Sequence, residues 1–119
     1  MAPTIIFDES NELFLITGSP GGSDIPAAIL RVITGVIDFD LDIGEATMLP
    51  RIHKDWPYAG LEHERAVSRD IVRRLKSMGH KTEYENTIGS TQSIHITNGT
   101  NNGFADLRRP NAGVSVQAN

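Results

Sequence analysis

One segment of the sequence has residue types and spacing that could do chemistry directly: GSPGGS at residues 18–23. It stands between an apolar run, predicted to be a buried strand, and an apolar helix. Glycines leave the backbone accessible, so successive N–H groups can converge on one anion. The N-terminus of the following helix adds a potential that favours negative charge. Such a turn can hold a phosphate, a carboxylate or the oxyanion of an acyl-transfer intermediate, or it can be a tight turn without a ligand.

Two common phosphate-binding patterns do not fit this turn. No Lys-Ser/Thr pair follows Gly22, so it is not a Walker loop, and its glycine spacing is not that of a dinucleotide-binding fingerprint. The chain has no cysteine, which excludes disulfides, thiolate zinc sites and cysteine nucleophiles. The histidines lack zinc-ligand spacing, and we expect surface or hydrogen-bonded side chains at His53, His63, His80 and His95. The residues therefore predict no metal site.

Two further motifs are interpreted as turns. Asp38, Asp40 and Asp42 resemble a calcium loop, but the sixth and twelfth positions hold Ile43 and Leu49 instead of glycine and glutamate. We interpret this segment as a polar turn between two helices. Residues 98–100, Asn-Gly-Thr, fit an N-glycosylation sequon, but an Asn-Gly pair also predicts the tip of a β-hairpin, which we favour.

Length and charge narrow the class of protein. A chain of 119 residues is one small domain at most. With 11 basic and 15 acidic residues the net charge is −4, which argues against a nucleic-acid partner. The basic cluster Arg73, Arg74 and Lys76 is predicted to be a solvated helix face. No stretch approaches the roughly 18 apolar residues of a membrane span, and residues 1–4 do not begin a signal peptide.

The elements around the glycine turn follow from hydrophobic periodicity. Residues 4–7 and 13–16 predict a β-hairpin whose second strand is buried. Ser23 or Asp24 could cap the helix that follows, with Pro26 in its first turn. Its core stripe is predicted to comprise Ile25, Ala28, Ile29, Val32, Ile33, Val36 and Ile37. Gly35 inside this helix suggests that a close neighbour needs the space.

The second half predicts shorter elements. Asp42 could cap a helix over 43–48, which Pro50 would stop, and residues 51–65, including Tyr58, form a loop with a short strand at 61–64. Ser68 begins a third helix that ends at Gly79. Strands are predicted at 81–85, 91–97 and 104–106. The fold class is therefore α+β with mainly antiparallel strands, and residues 111–119 are predicted to be a loose C-terminal tail.

The glycine turn and several later segments, in the same order, resemble the small subunit of γ-glutamyltransferases. The matching segments cover nearly the whole chain, with 1–110 as the C-terminal portion of that subunit. They are TGSPGGS at 17–23, IGEA at 43–46, PRIH at 50–53 before Trp56, LKSMGH at 75–80, GSTQS at 89–93, and Ala105-Asp106 before RRP at 108–110.

The resemblance implies an N-terminal-nucleophile hydrolase with a four-layer αββα sandwich and no cofactor. In this family a threonine attacks the γ-glutamyl amide of glutathione, and the acyl group passes to water, an amino acid or a peptide. The family's oxyanion glycines fall on Gly21 and Gly22, whose N–H groups would stabilise the tetrahedral intermediate. The partners implied are a large subunit and the upstream part of the small subunit. The family also suggests a periplasmic, secreted or cell-surface protein.

The resemblance also implies that the catalytic nucleophile is not among these residues. The family's threonine nucleophile and the residues that hold the substrate's α-amino group fall upstream of Met1, so we expect the chain to be inactive alone. Asp24 stands where the family commonly has arginine, and a carboxylate there could oppose an oxyanion. Two alternatives stay open: a non-catalytic remnant or interaction module that self-associates, and a small anion-binding domain that uses the glycine turn.

Overall fold

The structure, a computed structural model, describes residues 2–57 and 60–115. Met1, Tyr58 and the end of the predicted tail, 116–119, lie outside the described residues. The helices and strands within them are β1 Ala2–Phe7, β2 Leu13–Ser19, α1 Ile25–Phe39, α2 Ile43–Met48, β3 Ile52–His53, β4 Leu61–His63, α3 Arg69–Ser77, β5 Thr82–Tyr84, β6 Gln92–Thr97 and β7 Thr100–Ala105. The predicted α+β class with mainly antiparallel pairing is confirmed. None of the described helices is both long enough and apolar enough to span a membrane.

The chain divides into two units. The first comprises residues 2–49 and 89–115, and the second comprises the intervening residues 50–88. The first unit contains an antiparallel sheet with strand order β1-β2-β6-β7. Both predicted hairpins are present in it. At the β6–β7 turn Asn98 and Gly99 have φ of 52° and 73°, the left-handed backbone that a two-residue turn between antiparallel strands requires.

The two faces of this sheet differ. Leu15 is fully buried on one face, where it packs with Val32 and Val36 of α1 and with Ile43 and Ala46 of α2. This is the hydrophobic core of the unit. The opposite face carries isoleucines at directly paired positions, because Ile16 pairs with Ile5 on one side and with Ile94 on the other. We call these three residues the isoleucine face; Ile5 is 56% exposed.

The isoleucine face continues onto β7, where Ile94 pairs with Gly103. A Cβ added to Gly103 would overlap Val114 Cγ2, so Val114 packs directly against this glycine. The beginning of the predicted tail therefore lies on the isoleucine face.

Helices α1 and α2 begin differently. Asp42 caps α2 through a capping box, in which its carboxylate accepts the Glu45 N–H at 2.8 Å and the Glu45 carboxylate accepts the Asp42 N–H at 3.2 Å. Of the two predicted caps, Asp24 occupies the N-cap position of α1, but its side chain makes no capping hydrogen bond, so the prediction is wrong for Asp24. Its backbone is already helical, whereas a capping residue typically has an extended backbone.

The predicted core stripe of α1 is correct from Ala28 to Val36, but Ile25 at its start is only half-buried. Ile37 is 48% exposed and lies outside the core. The close neighbour expected at Gly35 is present, because a Cβ there would lie 2.9 Å from the Cβ of Ala46. Gly35 thus lets α2 pack against α1.

The second unit is organised around two buried charged residues. The Glu64 carboxylate accepts the Arg51 N–H at 2.9 Å and the Ile88 N–H at 3.0 Å, and Arg51 Nη1 donates to the Ile88 carbonyl at 2.9 Å. Strand β3, which the sequence did not predict, pairs antiparallel with β4, and β4 pairs in parallel with β5. Ser68 caps α3 by accepting the Ile71 N–H, as predicted.

Candidate functional site

The glycine turn lies where β2 ends and α1 begins. Strand β2 runs three residues beyond the end predicted for it, through Gly18 to Ser19. Its register with β6 carries the pairing that far, since Gly18 lies opposite Gln92. A single 3-10 turn, Gly22–Asp24, then leads into α1. The predicted order of strand, glycines and helix is therefore correct, but the turn is shorter than the sequence suggested.

Gly21 and Gly22 both have backbone conformations that favour glycine. Gly21 has φ 136° and ψ 16°, and Gly22 has φ 60°. Both are exposed, and a Cβ on Gly22 would have no heavy atom within 4 Å. The two candidate site residues are thus adjacent and accessible, and they precede a helix of 15 residues. A turn of this kind can present N–H groups to an anion.

The base of the turn is held by Ser19, which is fully buried. Its hydroxyl donates to the Pro20 carbonyl at 2.7 Å and accepts the Ser90 N–H at 2.9 Å. On the other side, the Asp24 N–H donates to the Gly21 carbonyl at 3.1 Å. The turn is therefore fixed from both ends by hydrogen bonds to its own carbonyl groups.

Gly89 packs under the turn without space for a side chain. Its φ is 66°, and a Cβ there would lie 2.6 Å from Ala28 Cβ and 2.8 Å from Ser19 Oγ. A Cβ on Gly21 would in turn lie 3.4 Å from Gly89 Cα. Residues 89–90 thus form the floor beneath the glycine pair.

Sequence reasoning missed Ser19, Gly89 and Ser90 as parts of this site. In the sequence, Ser19 is one more residue of the predicted turn, and GSTQS at 89–93 is only one of the segments that match the family. Nothing in the spacing of residues more than seventy apart indicates that Ser90 N–H meets Ser19 Oγ. The glycine at position 89 was the one available signal, because a glycine just before a strand often marks a close backbone approach.

Asp24 lies beside the glycine pair. Its side chain is half-buried, and a Cβ added to Gly21 would lie 3.4 Å from the Cβ of Asp24. A carboxylate at the start of a helix is favourable for the helix, but a negative charge this close to the turn opposes a second negative charge there. The charge of Asp24 is therefore expected to weaken the binding of an anion at this turn.

The aspartates that resembled a calcium loop and the four histidines lie in different parts of the chain. Asp40 ends α1 with φ 52°, and Asp42 begins α2, so this segment is the inter-helix turn that we expected. His95 lies on β6 in the first unit, whereas His53, His63 and His80 belong to residues 50–88. His53 Nε2 lies 3.0 Å from the Asp55 carboxylate, a hydrogen-bonded arrangement of the expected kind.

Comparison with known proteins identifies the family. The family model described as gamma-glutamyltranspeptidase matches residues 1–116. The chain is 38% identical over 96 residues to the glutathione hydrolase proenzyme of Escherichia coli (strain K12), covering 81% of this chain and 16% of that protein. It is 34% identical over 119 residues to the Bacillus subtilis (strain 168) glutathione hydrolase proenzyme, covering 98% of this chain and 20% of that protein.

Two solved structures of gamma-glutamyltranspeptidases superpose closely on this chain. An acivicin-inhibited gamma-glutamyltranspeptidase superposes with a TM-score of 0.86 at 34% identity, covering 92% of this chain and 61% of that chain. The gamma-glutamyltranspeptidase from Pseudomonas nitroreducens complexed with L-DON gives a TM-score of 0.87 at 26% identity, covering 98% and 62%. The fold is thus the N-terminal-nucleophile hydrolase fold that the resemblance implied. The chain spans a fifth or less of the length of the two proenzymes, and it belongs to the γ-glutamyltranspeptidase family.

Proposed function

We propose that this chain is the C-terminal part of an enzyme that transfers the γ-glutamyl group of glutathione to water, an amino acid or a peptide. In this proposal the N–H groups of Gly21 and Gly22 form the oxyanion hole. The observation that carries it is the exposed pair of positive-φ glycines between the end of β2 and the start of α1. The family membership supports the substrate class, because the relatives are named glutathione hydrolases.

The chemistry assigns the turn a defined step. A nucleophile attacks the γ-glutamyl carbonyl carbon, and the carbonyl oxygen becomes negatively charged as the tetrahedral intermediate forms. The glycine N–H groups donate to that oxygen, and one donor of this kind typically accelerates the reaction by about 10² to 10³. Collapse of the intermediate expels the amine and leaves an acyl-enzyme ester, which water or an acceptor amine then cleaves.

We further propose that the nucleophile comes from the part of the family's protein outside these residues, so that the chain is inactive alone. The chain covers only 16% and 20% of the two proenzyme relatives. The resemblance implies that a threonine upstream in the small subunit supplies both nucleophile and base. Its partners would then be the upstream segment and the large subunit.

The isoleucine face supports such a partner. Helices α1 and α2 pack on the Leu15 face of the sheet, whereas Ile5, on the opposite face, is 56% exposed. In a four-layer αββα arrangement, this is the face that a second sheet covers. The alternative function, a non-catalytic module that self-associates, would use the same face, since apolar surface of this kind favours association.

Release of amine from a chromogenic γ-glutamyl anilide tests the proposal. The chain alone should release no amine above a blank, and the chain assembled with the upstream segment and large subunit should turn over. Turnover by the chain alone would contradict the missing nucleophile. An inactive assembly, together with dimers of the chain in sedimentation experiments, would favour the self-associating module.

A glycine substitution tests the oxyanion hole within the active assembly. Gly22→Ala places a methyl group where the substrate must approach the N–H, so kcat should fall by at least tenfold. Gly99→Ala is the matched control, because Gly99 has a similar φ of 73° and also has no heavy atom within 4 Å of an added Cβ. Equal effects of the two substitutions would remove Gly22 from the oxyanion hole.

A further inference from the structure

We propose that Ser19 is a positioning residue that orients the Gly21 N–H toward the oxyanion. This inference deepens the proposed function and rests on it, because it concerns a donor of the same oxyanion hole. Ser19 does not contact the substrate in this proposal. It acts through the peptide group that joins Pro20 to Gly21.

The argument begins with the geometry of one peptide plane. The Pro20 carbonyl and the Gly21 N–H belong to the same trans peptide, so they lie in one plane and point in opposite directions. Ser19 Oγ donates to that carbonyl at 2.7 Å, on the inner side of the turn. Holding the carbonyl inward therefore directs the Gly21 N–H outward, where the turn is exposed.

The hydroxyl that holds this plane is itself immobilised. Ser19 is fully buried, and its oxygen accepts the Ser90 N–H at 2.9 Å. Because the hydroxyl accepts from Ser90 and donates to Pro20, its single proton is committed to the Pro20 carbonyl. The missing side chain of Gly89 lets the loop before β6 come close enough, since a Cβ there would lie 2.8 Å from Ser19 Oγ.

Glycine at position 21 makes such a support necessary. With φ 136° and no side chain, Gly21 has wide conformational freedom, and the peptide before it can rotate easily. A preorganised oxyanion donor must not reorient during the reaction. The Ser19 hydrogen bond supplies that rigidity from a buried position.

The test compares two serine-to-alanine variants in the active assembly with the upstream segment and large subunit. Ser19→Ala removes the hydroxyl under the turn. Ser93→Ala removes a buried hydroxyl from the same pair of strands, where Ser93 Oγ and Thr17 Oγ1 are 2.7 Å apart, without touching the turn. Each variant loses one oxygen atom and one buried hydrogen bond between β2 and the β6 segment, and Ser19→Ala alone also loses the hydrogen bond to the Pro20 carbonyl on which the proposal rests.

We expect Ser19→Ala to lower kcat by about twofold to twelvefold, the equivalent of one net hydrogen bond, with KM unchanged. Ser93→Ala should leave both constants near those of the wild type. Equal kcat values for the two variants would overturn the positioning role. So would a Ser19→Ala effect confined to KM.

An NMR measurement tests this inference independently of the proposed function. In the chain labelled with ¹⁵N, Ser19→Ala should shift the Gly21 amide resonance, and Ser93→Ala should leave it in place. An inactive wild-type assembly would defeat the proposed function alone, whereas an unchanged Gly21 amide in Ser19→Ala would defeat the inference.

Discussion

The Asp106 carboxylate accepts the Thr91 backbone N–H at 2.9 Å, and neither residue is exposed to solvent. The other carboxylate oxygen accepts Arg108 Nη1 at 3.1 Å. Arg108 also donates to the carbonyls of Thr47 and Leu49, both at 2.9 Å. One ion pair thus connects the start of β6, the end of β7 and the end of α2.

Arg108→Ala should destabilise the first unit strongly, because it removes a cation that is paired with the buried Asp106 carboxylate. Removing one partner of a buried ion pair typically costs about 3 to 5 kcal/mol in the free energy of unfolding. Arg73→Ala is the control, since Arg73 pairs with Asp70 where both side chains are exposed, and such pairs contribute little. Urea denaturation measures both, and similar losses for the two variants would contradict the role assigned to Arg108.

Gly89→Ala should destabilise the chain by more than the strain of its φ alone. An added Cβ would lie 2.6 Å from Ala28 Cβ, so either α1 or the loop must move. Such overpacking typically costs about 1 to 3 kcal/mol. Gly99→Ala has similar backbone strain and no steric neighbour, so the difference between the two unfolding free energies isolates the close contact.

Gly35→Ala should also be destabilising, although alanine is the better helix former by about 1 kcal/mol. The new Cβ would lie 2.9 Å from Ala46 Cβ, which forces α1 and α2 apart. Ala46→Gly in the same chain restores the space. We therefore expect the double variant to be more stable than the sum of the two single changes predicts, as measured in a double-mutant cycle.

His95 should make stability depend on pH. Burial lowers the pKa of its imidazole below the usual value of 6.5. The unfolded chain therefore binds this proton at higher pH than the folded chain does. The stability that the neutral His95 imidazole contributes is fully present above about pH 6.5, and it is lost as the pH falls from there toward the pKa of His95 in the folded chain. In His95→Gln the decline in unfolding free energy between pH 7 and 5 should be shallower; an identical decline in both proteins would contradict the assignment.

Asp24→Asn should have opposite effects on activity and stability. In the active assembly, removing a negative charge beside Gly21 should raise kcat, because the oxyanion no longer faces a like charge. The start of α1 should lose about 0.3 to 1 kcal/mol of favourable charge–dipole interaction. Asp38→Asn makes the same charge change at the other end of α1 and serves as the control. A lower kcat in Asp24→Asn would show that the carboxylate assists the reaction.

Local signals in the sequence predicted much of this fold. The capping box of α2 requires only Asp42 and Glu45, three residues apart, and Asn98-Gly99 specifies its turn without outside help. Gly35 indicated a close contact because a glycine inside a helix lowers the stability of the helix and is usually explained by close packing. The glycine pair of the candidate site was found in the same way, since it interrupts two periodic segments.

What the sequence did not predict depends on distant partners. Strand β3 is only two residues long and exists because β4 pairs with it. Strand β2 continues through Gly18 because β6 pairs with it there. Ile37 has the spacing of the core stripe, but its side chain is 48% exposed and is not among the residues that pack on the core. Ser19 was missed for the same reason, because its partner Ser90 comes 71 residues later.

The pairing of β2 with β6 also has a consequence for the order in which the protein is made. Thr17 and Ser93 are bonded to one another but are 76 residues apart along the chain. At a ribosomal rate of about 5 to 20 residues per second, β2 emerges on the order of 4 to 15 s before its neighbour exists. During that interval the nascent chain can form the β1–β2 hairpin but cannot complete the sheet. A nascent chain on a ribosome stalled before residue 89 should therefore be incompletely folded and still be bound by chaperones and cut by proteases.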